Sequence, residues 1–175
     1  MIYAKAKTYG LESKVLLIQR YLDEHLPEYW AGVLHIYSVI YPTVKAGKVI
    51  PEVYVGNDEH TQIFFDDTKA CIIAFDVNSR TIKGLQHQAN IDIVFNVNLK
   101  TIHSNNLRET EKAIVEAHKV LRRCNFISNI SKITETIKEV FKGYNLDDVN
   151  TNDLQPFYTF SFTGDVVYSE TYDPR

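Results

Sequence analysis

The feature that most restricts the fold is a strictly alternating segment, Ile91 to Leu99. Its odd-numbered positions are all apolar, while Asp92, Asn96 and Asn98 occupy three of the four positions between them. Successive side chains of a β-strand point to opposite faces, so this alternation predicts a strand with one buried face and one mostly wet face. We expect this strand to lie centrally in its sheet, with one row of side chains facing a helix: Ile91, Ile93, Phe95, Val97 and Leu99.

Two amphipathic segments are candidates to cover that apolar face. Apolar residues recur at three- and four-residue steps from Glu12 to Leu26, which predicts a first helix that Pro27 ends. A second helix is predicted to begin at Asn106, an N-cap residue with Glu109 three positions on, and to end near Cys124. Each helix would present one apolar side to the sheet.

A third helix is predicted from Ser131 to Lys142. Its apolar residues Ile133, Ile137 and Phe141 fall on one stripe at helical spacing, and Gly143 follows in a position that suits a helix end. The chain would then carry two consecutive helices between the alternating strand and its last strand.

Further strands are predicted before the central one. Val33 to Tyr41 is rich in β-branched and aromatic side chains, and a turn at Lys45 to Lys48 leads into a second strand that contains Pro51. Proline donates no ladder hydrogen bond, so this second strand should lie at a sheet edge or at a bulge. Gln62 to Phe65 and Ala70 to Asp76 are predicted to form another hairpin.

The end of the chain predicts a closing strand. Tyr158, Phe160 and Phe162 alternate with hydroxyl residues in this segment. At 175 residues the chain suits one domain. We therefore predict a single α+β domain over residues 1–175, a mainly antiparallel sheet packed by an N-terminal helix and one or two later helices. A strand-rich insert or hairpin at 42–68 and the C-terminal strand complete the prediction.

Composition argues against several classes of protein. The net charge is −3, whereas proteins that grip nucleic acid draw on clustered Lys and Arg. Cys71 and Cys124 form no CxxC or His-Cys grouping, so we expect two buried free thiols rather than a disulfide or zinc framework. No apolar run approaches the roughly 18 residues of a membrane span. We expect a soluble protein made in a reducing cytoplasm, without a membrane partner.

One segment invites a catalytic interpretation. Asp58-Glu59-His60 places two carboxylates beside an imidazole, the kinds of group that transfer protons in catalysis. Adjacent residues of an extended or turning chain point in different directions, however, which argues against a shared site. We expect an ordinary exposed loop here and predict no catalytic residue.

The sequence also contains no complete motif for a metal or a cofactor. Asp148, Asn150 and Asn152 match the first three ligands of a calcium loop, but Asp153 stands where that loop needs glycine. The histidines show no ligand spacing, and the common nucleotide-binding and hydrolase motifs are absent from the sequence. We therefore predict no metal, no cofactor and no enzymatic activity. The six histidines are His25, His35, His60, His87, His103 and His118.

The order of elements resembles that of a viral family. A helix, several antiparallel strands, a helix and a closing strand follow one another, and the segment Asp153-Leu154-Gln155-Pro156-Phe157 introduces that last strand. This order, over roughly residues 11 to 169, resembles the tail terminator and head-tail connector (neck ring) proteins of tailed bacteriophages. The two consecutive predicted helices and the insert depart from the simplest members of that family.

The resemblance implies a structural role in the virion. Identical subunits of such proteins close into a six-fold or twelve-fold ring around a channel, next to portal, connector or tail tube proteins. DNA passes through the channel without specific binding, no cofactor is implied, and assembly takes place in the host cytoplasm. The acidic balance of the chain would suit a channel wall that repels phosphate.

The insert supplies the candidate contact surface between subunits. Pro42 and Pro51 suggest irregular or edge strands, and edge strands are templates for pairing between chains. The apolar residues of the insert exceed what a peripheral hairpin readily buries within its own domain. The predicted subunit or partner contacts are Tyr54, Val55, Ile63, Phe64 and Phe65.

Two other classes of function remain open at this point. The chain could be a small intracellular enzyme or ligand-binding domain whose pocket is built from distant residues. It could also be an adaptor that binds another protein through an edge strand. A deep pocket with clustered titratable groups would favour the enzyme, and assembly to several times the mass of one chain would favour the ring.

Overall fold

The computed structural model describes residues 1–63, 66, 68–103, 109–147 and 156–169. Four helices lie in these ranges: α1 (Leu11–His25), α2 (Leu99–Ile102), α3 (Thr110–Leu121) and α4 (Ile137–Val140). A 3₁₀ turn, Leu26–Glu28, follows α1. The strands are β1 (Leu34–Val39), β2 (Tyr41–Lys45), β3 (Lys48–Gly56), β4 (Glu59–Gln62), β5 (Cys71–Lys83), β6 (Gln86–Asn98), β7 (Ser128–Glu135) and β8 (Phe157–Ser169).

The main sheet has five strands in the order β1, β5, β6, β8, β7. The alternating segment forms β6 and lies at its centre, as predicted, paired antiparallel with both β5 and β8. β1 runs parallel to β5, and the other pairs of this sheet are antiparallel. The predicted α+β class, with a mainly antiparallel sheet, an N-terminal helix and a C-terminal strand, is therefore confirmed.

One face of the main sheet carries the larger core. Helices α1 and α3 cover it with their apolar sides, and Phe95 packs there without exposure. The Phe95 ring lies 5.0 Å from Phe160 in a stacked arrangement and 5.9 Å from Trp30 edge to face. The predicted placement of the odd-numbered row of β6 on the helix side is confirmed; its last member, Leu99, begins α2 instead of ending the strand.

The second predicted helix corresponds to α3. This helix begins at Thr110 and ends at Leu121, close to the predicted end near Cys124. The predicted N-cap, Asn106, lies outside the described residues. Glu109 is the residue that precedes the first turn of α3.

The opposite face is covered as well, which the alternation did not indicate. A small sheet of β2, β3 and β4 and the short helix α4 pack over it. Val94, Asn96 and Asn98 are buried there, so the expectation of a mostly wet face was wrong. Asparagine side chains are usually exposed. Asn96 and Asn98 are buried because the small sheet and α4, which are distant in sequence, pack over this face.

The small sheet confirms one hairpin and corrects another prediction. β2 pairs antiparallel with β3 through the turn at Lys45 to Lys48, as expected. β3 is central rather than an edge strand, because β4 pairs with its other side. Pro51 is tolerated because it lies opposite Pro42 and just beyond the end of β4, where its carbonyl accepts a hydrogen bond from the Ile63 amide at 3.1 Å.

The predicted hairpin between Gln62 to Phe65 and Ala70 to Asp76 does not form. β4 ends at Gln62 within the small sheet, whereas β5 pairs with β1 and β6 in the main sheet. The chain between these segments therefore connects the small sheet to the main sheet instead of closing a hairpin. Phe64, Phe65 and Asp67 lie outside the described residues.

The third predicted helix is also wrong. Ser128–Glu135 forms β7, which pairs antiparallel with β8, and only Ile137–Val140 is helical. Most of β7 is exposed, so the apolar residues that mimicked a helical stripe are too few to bury a helix face. Pairing with the free side of β8 satisfies the backbone of this segment instead.

The approach of β7 to β8 depends on a glycine. β8 continues through Gly164 in register with Ile91 of β6. A Cβ at this position would lie 2.6 Å from Cδ1 of Ile127 and 3.2 Å from the carbonyl oxygen of Ser128. The missing side chain therefore makes room for the chain that enters β7.

No helix within the described ranges is both long and apolar enough to cross a membrane.

Candidate interaction surfaces

The Asp58-Glu59-His60 segment is part of the small sheet and not a free loop. Asn57 and Asp58 form the turn between β3 and β4 with positive φ angles of 50° and 58°, and Glu59 begins β4. The His60 ring packs edge to face against Tyr41 and Tyr54, at 5.5 Å and 5.8 Å. Aromatic packing therefore positions the imidazole, while the two carboxylates are exposed at the end of the hairpin.

The predicted contact residues divide into three groups. Tyr54 and Val55 are half-buried on β3, and Val55 packs against the core of the small sheet. Ile63 is only 2% exposed and lies inside that core, so it has no surface for a partner. Phe64 and Phe65 lie outside the described residues. The premise that the insert cannot bury its apolar side chains within its own domain is therefore wrong for Ile63.

No metal site is built from the described residues. None of their His, Cys, Asp and Glu side chains form a group of three or more that could hold a metal ion. Of the segment that resembled a calcium loop, Asp148, Asn150, Asn152 and Asp153 lie outside the described residues. Thr159, which follows it, is buried in β8.

A buried polar cluster was missed by the sequence reasoning. Trp30 Nε1 donates a hydrogen bond to Glu116 Oε2 at 3.0 Å, and His103 Nε2 lies 2.7 Å from the same oxygen. His103 Nδ1 lies 3.4 Å from Glu109 Oε2, so the imidazole sits between two carboxylates. Glu116 is the residue in the sequence that could have indicated this cluster, because it is a charged residue on the buried side of α3 together with Ala113 and Ala117. The cluster joins the end of α2 to α3.

The two cysteines are free and buried, as predicted. Burial raises the pKa of the Cys71 thiol and of the Cys124 thiol above their ordinary values. The thiolate is the reactive form of cysteine, so neither residue is prepared to act as a nucleophile.

A groove runs between the C-terminal half of α3 and the start of β7, and we call it the α3–β7 groove. One part, about 400 Å³ in volume, lies on the outer side of the helix, and an adjoining part of similar volume reaches the strand. His118 and Arg122 line both parts. The helix side is formed by Val115, His118, Lys119, Leu121, Arg122 and Arg123, and the strand side by Ile127, Ser128, Asn129 and Ile130.

The groove concentrates positive charge in an acidic chain. Lys119, Arg122 and Arg123 are exposed at the C-terminal end of α3 and form no ion pair with any of the described residues. The nearest carboxylate on the helix, Glu116, is engaged inside the core. These three side chains are therefore free to meet an anionic partner, although the net charge of the chain is −3.

Among the described residues the two sheets end in four edge strands, β1, β7, β2 and β4, and two of these concern the argument that follows, β7 and β4. β7 ends the main sheet on one side, and its residues are mostly exposed. The small sheet packs over one face of the main sheet and contacts β1, and all four residues of its edge strand β4 are exposed. An exposed edge presents unpaired backbone N–H and C=O groups that another chain can pair with.

Comparison with known proteins adds no assignment, because no family model and no curated protein matches the chain. The resemblance to phage neck proteins therefore stays a prediction, and the chemistry of these surfaces carries the functional argument.

Proposed function

We propose that the chain is a structural subunit of a homo-oligomeric ring at the neck or head-proximal tail end of a tailed bacteriophage. In this role it acts as a tail terminator or head-tail connector and joins the capsid portal to the tail around a DNA channel. The ring is six-fold or twelve-fold and forms in the host cytoplasm before it enters the virion. No catalytic step belongs to this function.

The observation that carries the proposal is that two exposed edge strands, β7 and β4, belong to different sheets. β7 is an edge strand of the main sheet and β4 is an edge strand of the small sheet, so they are different surfaces of the subunit. Contact between two different surfaces of identical subunits is head-to-tail, and a head-to-tail contact closes into a ring when the rotation allows it. A two-fold dimer would instead pair one surface with its own copy.

The distribution of charge supports a passive channel. Lys119, Arg122 and Arg123 are gathered at one groove, so the remaining surface of a chain with net charge −3 is acidic on balance. A wall of that kind repels phosphate and lets DNA slide without specific binding. Neighbouring portal, connector or tail tube proteins would meet the top and bottom of the ring.

The proposal is tested by the mass and shape of the assembled protein. Purified chain, alone and mixed with tail-less heads of the same phage, is examined by sedimentation velocity and negative-stain microscopy. We expect closed rings with a mass several times 20.2 kDa, either free or attached at the vertex of the head.

A matched localisation experiment separates a ring protein from other classes. Gold-labelled antibody against the chain should mark the junction between head and tail of intact particles. Label that is absent from particles, together with a monomer in every mixture, would contradict the proposed function.

A further inference from the structure

We infer that the β3–β4 hairpin of one copy docks into the α3–β7 groove of the next copy, by addition of strand β4 to the open edge of β7. The inference rests on the proposed function in one respect, namely that copies of this chain assemble head to tail. It goes further by naming the two surfaces that meet and the residues that recognise each other.

The backbone of both strands is available for pairing. β4 is hydrogen-bonded to β3 on one side, and the described residues offer it no strand on the other. β7 is paired with β8 on one side and is likewise open on its outer side within the described part of the chain. Addition of one edge strand to another supplies main-chain hydrogen bonds, and neighbouring side chains supply selectivity.

Charge selects β4 as the occupant. Asp58 and Glu59 are exposed at the tip of the β3–β4 hairpin, and neither forms an ion pair among the described residues. The groove offers the three cations at the end of α3, Lys119, Arg122 and Arg123. None of them forms an ion pair with another described residue. Opposite charges at the rim of an interface steer the encounter and fix the register of the partners.

Apolar contacts complete the match. Val115 is 46% exposed on the helix side of the groove, and Ile133, further along β7, is exposed to the same extent. On the hairpin, the half-buried Tyr54 and the His60 ring packed against it offer an aromatic surface beside the two carboxylates. Aromatic side chains that are partly covered in the free chain are frequent anchors of protein interfaces.

The same features disfavour nucleic acid as the occupant. A phosphate backbone would use the three cations but neither the open edge of β7 nor the apolar floor at Leu121 and Ile127. Duplex binding also draws on a broader positive field than one groove of an acidic chain provides. A second copy of the chain would use the three cations, the open edge of β7 and the apolar floor of the groove together.

The first test joins the two strands chemically. Thr61→Cys on β4 and Ser131→Cys on β7 are combined in one chain, since both positions are exposed and the native cysteines are buried. A short bismaleimide should then convert the protein into a ladder of covalent oligomers. The matched control combines Thr61→Cys with Leu85→Cys, which lies at the exposed tip of the β5–β6 hairpin, and should give no ladder.

The second test exchanges the charges. Asp58→Lys with Glu59→Lys, or Lys119→Glu with Arg122→Glu, should each lower the yield of the ladder by about tenfold or more, because like charges then face each other. All four substitutions in one chain restore opposite charges and should recover most of the yield. Lys7→Glu with Arg80→Glu, both at exposed positions, is the control and should leave the yield unchanged.

The outcomes separate this inference from the proposed function. Rings that give no cross-link between positions 61 and 131, or cross-links that survive charge reversal, would overturn the docking and leave the ring intact. Absence of both rings and cross-links in every mixture would overturn both proposals. Binding of a short fluorescent DNA duplex that Lys119→Glu with Arg122→Glu abolishes would also overturn the docking, by assigning the groove to nucleic acid.

Discussion

The two faces of the main sheet are covered by different kinds of element, and their cores differ accordingly. On one face α1 and α3 enclose a large aromatic core around Phe95 and Trp30. On the other, the small sheet and α4 enclose a smaller core that polar side chains share. Asn96, Thr159 and Ser161 are buried there, and their side chains have no hydrogen-bond partner among the described residues. Stability should therefore depend chiefly on the helix-covered face.

This contrast has a consequence for function. An element that packs on a small, partly polar core contributes less to folding and is freer to carry an interface. The small sheet is such an element, and its edge strand β4 supplies the proposed contact. The helix-covered face fixes the scaffold that holds the α3–β7 groove in place.

The largest effect is expected at the centre of the helix-covered face. Phe95→Ala should lower the free energy of unfolding by about 3 to 5 kcal/mol, because it removes a fully buried aromatic ring that contacts Trp30 and Phe160. Urea denaturation followed by circular dichroism measures the change. Leu85→Ala, at a position 94% exposed, is the control and should stay within about 0.5 kcal/mol of the natural chain.

A matched pair of isoleucines compares the two cores directly. Ile73 and Ile72 are neighbours on β5, and they point into the larger and the smaller core respectively. Each Ile→Ala change should cost about 2 to 5 kcal/mol, with Ile73→Ala near the upper end and Ile72→Ala near the lower end, since a smaller core relaxes around a cavity more easily. Equal costs in urea denaturation would contradict the proposed difference between the faces.

The polar character of the smaller core can be tested on β8. Thr159 is fully buried and its hydroxyl has no partner among the described residues, and an unsatisfied buried hydroxyl costs about 1 to 3 kcal/mol. Thr159→Val should therefore leave the free energy of unfolding unchanged or raise it. Thr163→Val is the matched control, because the Thr163 hydroxyl donates to Asp92 Oδ1 at 2.5 Å. That change should lower stability by about 0.5 to 1.5 kcal/mol.

The smallest effect concerns pH. Burial raises the pKa of the Asp76 carboxyl, although Tyr144, whose hydroxyl donates to Asp76 Oδ1 at 3.1 Å, opposes the shift. A raised pKa means that the folded chain binds more protons than the unfolded one, so the contribution to stability is present below the ordinary Asp pKa of about 4 and is lost as the pH rises through the folded value. Stability relative to Asp76→Asn should fall over that window, as measured by thermal unfolding at several pH values. A constant difference would exclude the shift.

Several elements were predictable because their signal is local. In three segments the spacing of apolar residues matches the repeat of a single strand or helix, and this spacing identifies the buried face of the element. They are the alternation of Ile91 to Leu99, the helical spacing of α1 and the aromatic row of β8. The two free thiols followed from the absence of any paired spacing. These inferences needed no knowledge of what lies opposite each face.

Other features depend on partners that are distant in sequence. Ser128–Glu135 carries a weak helical stripe, and the free side of β8 decides that it is a strand. Asn96 looked exposed because it is polar, and the small sheet decides that it is buried. The α3–β7 groove was not predicted, because most of β7, whose first residues form one side of it, was assigned to a helix from Ser131 onward.

The sequence by itself determined the α+β class, the central strand and the helix that opens the domain, because periodicity within a segment is enough to define a buried face. The tertiary structure alone decided that both faces of the sheet are covered and that β3 lies between two strands. It also brought the C-terminal end of α3 beside the start of β7 and left the acidic hairpin at an exposed edge of the small sheet. Pairing between strands that are distant in sequence produces no repeating pattern of residues along the chain, so it is difficult to predict from a single sequence.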